Sequence, residues 1–266
     1  MTELLQLNFR RRIQALLWGR RLLWLVGIVV VAYWRTGASL IASVMVGLVL
    51  GGALKAWEMS ARRQFVREAT FPRFLGAKLR AAYPQLQERD TDLVLRGLRQ
   101  FFMAHLRSDR KFVAMPSKVV DAAWHEFILH TQGYQRWCAA AFGGLLHHTP
   151  AEVLGRDARR NDGLRRTWFW ACKEESIDPR TPTRLPLLFA LDAKFGVEGG
   201  FQYVPDCKAI DQQAGSDAHC GTSFSDSGGG SGDAGGFGGS ESSSGGDGGS
   251  GDSGSGCGGG CGGGGD

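Results

Sequence analysis

Hydrophobic residues follow two regimes along this chain. From Leu22 to Leu54 they form an almost unbroken stretch, and after Lys55 they recur about every 3.6 residues. The unbroken stretch carries one charge, Arg35, which divides it into 13 uncharged residues (Leu22 to Trp34) and 19 (Thr36 to Leu54). As a helix the second part rises about 28 Å, against a hydrocarbon thickness of about 30 Å, and is long enough to span a bilayer. The first rises only about 20 Å and must borrow length from Ala15 to Trp18, or by snorkelling of Arg35. A basic start before an apolar run also marks cleavable signal peptides. Here, however, the run ends in Ala32-Tyr33-Trp34-Arg35 rather than a small-x-small site, and a second run follows at once. A retained two-span helical hairpin is expected, with Trp18, Trp24, Trp34 and Trp57 near the ends of the spans.

Charge orients this anchor. Arg10, Arg11, Arg12, Arg20 and Arg21 precede it and Lys55, Arg62, Arg63 and Arg67 follow it, whereas the turn holds only Arg35. The positive-inside rule then places both ends in the cytoplasm of an inner membrane, with Arg35-Thr36-Gly37 as the turn on the far side. Ser39, Ser43, Gly47 and Gly51 recur every four residues, a stripe of small side chains that admits a close helix partner. That partner is either the first span of the same chain or a second copy, a homodimer through Gly47 and Gly51.

Beyond residue 57 the periodicity predicts a mostly α domain with almost no alternating runs. Thr70-Phe71-Pro72 opens one helix and Pro84 ends it. Asp90 or Thr91 caps the next, whose apolar face is Leu93, Val94, Leu98, Phe101, Phe102 and Leu106. Pro116-Ser117 starts a third, to about Thr131, and Gly133 interrupts before a fourth from Tyr134 to Phe142. Thr149-Pro150-Ala151-Glu152 has the form of a capping box. Gly163 to Cys172 and Pro186 to Phe195 complete the helices, the last closed by Gly196.

Composition then separates a tail. Gly221 to Asp266 holds 23 of the 40 glycines and 11 serines, too little apolar surface to offset its ordering entropy, so it is expected to be disordered. From Cys207 onward one lysine stands against eight acidic residues, a net −7, so residues 1–206 carry +12 within the overall +5. Three regions result: an N-terminus and anchor (1–57), a helical domain (58–207) and an acidic Gly/Ser-rich tail (208–266). Six cysteines are too few for a disulfide scaffold. Cys257 and Cys261, three glycines apart, lack the usual CxxC spacing of a metal pair. The densest basic cluster, Arg159, Arg160, Arg165 and Arg166, has no interleaved aromatics and no nucleic-acid motif, and reads as a solvated helix face or a contact with anionic headgroups.

The segment from Met115 to Pro150 holds four of the six histidines and one cysteine. His125-Glu126 with His130 misses the H-E-x-x-H spacing of a zinc protease, because five residues turn the second imidazole roughly 140° around the helix. Asp121 and His125, four apart, do share a face, as do Tyr134 and Cys138. If the two helices fold back on each other, Asp121, His125, Cys138 and one of His147 or His148 converge as an N/S/O set suited to zinc. Alternatively Asp121 orients His125 and the histidine pair is buried polar glue, or Cys138 pairs with a histidine as a nucleophile.

The run Val120-Asp121-x-x-Trp124-His125, then Tyr134, Cys138 and Gly144-x-x-His147-His148, resembles the core motif of the glycine-rich domain-containing protein family. The resemblance covers about Phe71 to Cys207, including Leu185 to Asp192 and Gly200 to Cys207, and the tail composition agrees with it. It implies a domain of uncharacterised function in which Trp124 is largely buried. Plant members commonly read Trp-His-x-His where Phe127 stands here, so a two-histidine site on that helix is not carried over. The leading reading is a membrane-anchored cytoplasmic interaction or scaffold protein, binding a protein partner through the domain or the tail and no nucleic acid. The alternative is a metal-dependent enzyme acting on a membrane-proximal or peptide substrate.

Overall fold

The computed structural model describes residues 2–33, 37–149, 158–206 and 219–224. Eight α-helices are present among them: α1 (Thr2–Tyr33), α2 (Gly37–Glu68), α3 (Phe74–Ala82), α4 (Glu88–Arg107), α5 (Lys118–Leu129), α6 (Thr131–Phe142), α7 (Ala158–Glu174) and α8 (Leu187–Lys194). The chain is thus mostly helical, as the 3.6-residue periodicity predicts. One feature escapes that pattern, a two-residue parallel pairing of β1 (Tyr203–Val204) with β2 (His219–Cys220). Arg35, residues 150–152 of the capping box, Cys207, Cys257, Cys261 and the Gly/Ser-rich tail from residue 225 lie outside the described residues.

The apolar band behaves unlike the rest. Leu22, Trp24, Leu25, Ile28 and Val29 on α1, and Ile41, Met45, Val46, Leu48 and Val49 on α2, are all exposed. Among the described residues one helix, Ile41–Glu68, is long and apolar enough to cross a membrane. Contacts between α1 and α2 run from Phe9 against Phe65, through Arg20 on Glu58, to Leu23 beside Gly51, so the two helices are antiparallel. A side chain at Gly51 would meet Leu23 at 4.0 Å, whereas nothing lies within 4 Å at Gly47.

The second half of α2 enters the domain, where Phe65 and Val66 are fully buried. At the centre lies α4, which packs against α2, α3, α5, α7 and α8. Gly97 makes this possible, because a Cβ there would sit 2.5 Å from Leu191 and 3.1 Å from Val120. Phe102, on the same helix, touches the rings of Phe71, Phe101, Trp124, Trp137 and Phe142, an aromatic core worth about 0.5–1.5 kcal/mol per pair beyond area burial. His105 is buried beside them, edge-on to Phe142 and donating Nδ1–H to Lys111 O at 3.1 Å. Desolvation lowers its pKa to about 4, so it is neutral.

Two helix boundaries differ from expectation. The cap of α4 is Gln87, with Asp90 as its reciprocal partner three residues on, because the Asp90 carboxylate reaches back to the Gln87 N–H at 2.9 Å. The break between α5 and α6 falls at His130 (φ −81, ψ 62) rather than Gly133. Gly133 lies inside α6, and its missing Cβ leaves room for the His130 ring, whose Nδ1 would be 2.1 Å away. Cys138 and Cys172 are buried free thiols, whereas Cys220 is disulfide-bonded.

Candidate metal centre

Helix α5 starts where it does because two side chains satisfy its first N–H groups. Ser117 is the N-cap and accepts from the Val120 N–H. Buried Asp192, reaching over from α8, accepts from Ser117 Oγ (2.7 Å), Lys118 N (2.7 Å), Val119 N (3.1 Å) and Phe201 N (2.9 Å). Its charge is compensated by these donors and by the positive end of the helix dipole. The beginning of α5 is thereby clamped, and Asp121 and His125 follow on its first two turns.

Asp121 and His125 share a face, with His125 Nδ1 3.6 Å from Asp121 Oδ2. The loop after α6 brings His148 to the same carboxylate, its Nε2 3.0 Å from Oδ1. The two imidazoles are 4.3 Å apart between centroids, and one ligand atom from each of the three residues lies within 4.8 Å of the others. Two ligands of a tetrahedral metal with bonds of about 2.1 Å stand about 3.4 Å apart. The two distances from Asp121 bracket that value. His148 is well covered, with a side-chain exposure of 13%, whereas the His125 side chain, at 52%, stands at the open edge of the group.

The remaining predicted ligands fall elsewhere. Cys138 is fully buried on α6, where its polar neighbours are the Tyr134 hydroxyl and the Leu146 backbone, and burial pushes its thiol up. Enclosed there, Cys138 does not join the group formed by Asp121, His125 and His148. His147 is exposed and lines the neighbouring cavity without entering the three-residue group. His130 is exposed against Phe74.

Tyr134 and Trp124 instead hold the loop that carries His148. The Tyr134 hydroxyl accepts from Trp124 Nε1–H at 3.0 Å and donates to Leu146 O at 2.6 Å. Burial raises the phenol pKa, so the proton it donates is retained. Two residues beyond Leu146, the His148 ring meets the Trp124 ring at 4.6 Å. Trp124, Tyr134 and Cys138 therefore act behind the site. A cavity of about 290 Å³ adjoins it, with Asp121 and His148 in its wall beside Phe112, Lys118, Trp124 and Phe201.

Asp192 and Lys118 are the site-supporting residues that residue chemistry and spacing did not single out. A signal existed for the first, a carboxylate inside the apolar run Leu185 to Asp192. Compared with known proteins, the chain matches the family model described as UCP032817-like over residues 61–224, which takes in the cluster, Tyr134 and Asp192. No curated protein and no solved structure matches it significantly.

Proposed function

Because the chain belongs to the UCP032817-like family across residues 61–224, and that name carries no activity, we propose its function from the site. It is a membrane-anchored protein whose helical domain holds one divalent metal ion of the zinc class at Asp121, His125 and His148. The observation that carries this is the convergence of two imidazoles and a carboxylate within 4.8 Å, from α5 and a loop held by its own hydrogen bonds. Three protein ligands of this N/N/O type leave a coordination position for water or a substrate oxygen. The adjoining cavity, with Lys118 in its wall, fits a small anionic or carbonyl-bearing group of a membrane-proximal or peptide substrate. Such a metal would supply Lewis-acid activation. The chain's part is to orient the ligands and exclude water behind them.

The interaction or scaffold reading keeps one specific support, the direct 3.0 Å contact of His148 with Asp121, by which the two groups satisfy each other. The resemblance to the glycine-rich domain-containing proteins goes with either reading, since Asp121, Trp124, His125, Tyr134 and His148 are among the residues that carry it. The exposed apolar band on α1 and α2 supports anchoring as a two-span hairpin, and the basic residues flanking it support a cytoplasmic domain.

Metal analysis and zinc titration of the full chain in detergent test the centre. The expected result is one equivalent in wild type and in Cys138→Ser, with affinity reduced at least about tenfold in Asp121→Asn and His148→Ala. A wild-type chain that neither carries metal nor binds added zinc overturns the proposal. So does equal binding by the ligand variants.

A further inference from the structure

A second cavity, of about 710 Å³, lies where α1 and α2 leave the apolar band and meet the end of α6. Six cations line it, Arg20, Arg21, Lys55, Arg62, Arg110 and Arg136, against one carboxylate, Glu58. That carboxylate is shared, accepting from Arg20 at 3.0 Å and from Arg62 at 2.9 Å. Arg62 spends its remaining donors on structure, giving Nη1–H to the carbonyls of Ala139 and Ala140 at the end of α6. Gly143, at φ +78, leaves space for its guanidinium, which a Cβ would approach to 3.1 Å. Arg62 is thus a satisfied floor. Lys55, Arg110 and Arg136 form no ion pair among the described residues. Arg110 reaches the cavity from a turn in which it and Asp109 both take positive φ (63 and 50), an uncommon conformation for two successive side-chain-bearing residues.

The position of the cavity is as telling as its charge. Arg20 and Arg21 are followed at once by exposed Leu22, Trp24 and Leu25, and Lys55 is preceded by exposed Val49 and Leu50. Trp18 and Trp57, 67% and 65% exposed, flank the same level, and Arg21 lies 5.5 Å over the Trp18 ring. Tryptophan beside basic residues at the edge of an apolar band is the arrangement of a membrane–water interface.

We infer that this cavity binds the phosphate of an acidic phospholipid headgroup, with Arg21, Lys55, Arg110 and Arg136 as the cations that meet it. The inference rests on the anchored reading given above, because the phosphate must be delivered at the depth of the collar. The metal plays no part in it. A phosphate monoanion offsets part of the surplus charge without a change of fold, and the acyl chains continue along the exposed apolar faces of α1 and α2.

The test reconstitutes the full chain into vesicles of phosphatidylcholine alone or doped with phosphatidylglycerol. Flotation reports anchoring, and native mass spectrometry of the detergent-extracted protein counts retained lipid. The variant is Arg110→Gln with Arg136→Gln, both exposed and outside any ion pair among the described residues. The control is Lys78→Gln with Arg89→Gln, exposed positions outside the cavity. Wild type and control are expected to float in both vesicles and to retain phosphatidylglycerol over phosphatidylcholine. The double variant should float equally and lose about tenfold of that preference. Inorganic phosphate should not displace the lipid. Unchanged preference in the double variant overturns the inference while leaving the anchor intact. Displacement by inorganic phosphate assigns the cavity to a soluble phosphate and overturns the lipid source. A chain that floats in neither vesicle overturns the anchor, and this inference with it.

Discussion

Tyr134 is a single hydroxyl between two halves of the site. It takes the indole N–H of Trp124 on one side and gives its proton to Leu146 O on the other, two residues before His148. Tyr134→Phe leaves both partners without a match inside the protein, at a cost of about 1–3 kcal/mol. If the centre binds metal, the same change should weaken zinc about tenfold or more though it touches no ligand, since a less restrained loop presents His148 less well. Denaturation and zinc titration of the same variant check both. Unaltered zinc affinity with reduced stability would make Tyr134 a core residue only. The sequence disclosed the pair Asp121 and His125 through their four-residue spacing. It could not choose between His147 and His148, because neighbouring loop residues carry no periodicity and the choice is made by the Trp124 ring and the Asp121 carboxylate. Nor could spacing reveal which way the Tyr134 and Cys138 face points. That face turns toward the Leu146 carbonyl, so the thiol that looked like a ligand is a buried neighbour of the loop.

Among the elements, α4 bears the strictest demands. Neighbours on several sides bury its Val94, Leu98, Phe101, Phe102 and Leu106, all of which the helical period marks. They also bury His105, which it does not. A histidine whose folded pKa is about 4 binds fewer protons in the native state than in the unfolded state, where the ordinary value is 6.5. Its contribution is therefore complete above about pH 6.5 and is lost as pH falls toward 4, an effect of roughly 3 kcal/mol. Denaturant melts of wild type and His105→Gln between pH 7 and 4 should diverge accordingly, the wild type losing more on acidification. Parallel curves would mean that His105 titrates normally. Helix starts at Ser117 and Pro186 were readable from their local chemistry. The α5–α6 break was misplaced by three residues because glycine is a conformational breaker in general, whereas here it is a gap filled by the His130 ring.

For the whole molecule, the helical class follows from pattern, while the proposed side of the membrane rests on charge alone. Cysteine labelling from outside intact cells is expected to modify a cysteine placed at Thr36 and not one placed at Thr70. The Cys220 disulfide pulls the other way, since such bonds persist mainly in oxidising compartments. Labelling at Thr70 with none at Thr36 would therefore reverse the topology and agree with that bond.

Between exposed Ile41 and buried Phe65, α2 has no joint. Its 32 residues form a rod about 48 Å long, of which one end is greasy and the other is a beam in the domain's framework. A domain mounted on such a rod does not sweep a hemisphere as one on a flexible leash does. With the greasy end in lipid, as proposed above, it keeps one height while turning about the membrane normal, and His148 and the cavity beside it survey a thin annulus above the bilayer. A molecule that is to reach them must arrive in that annulus. Any thinning of the bilayer that tilts the rod swings the annulus with it.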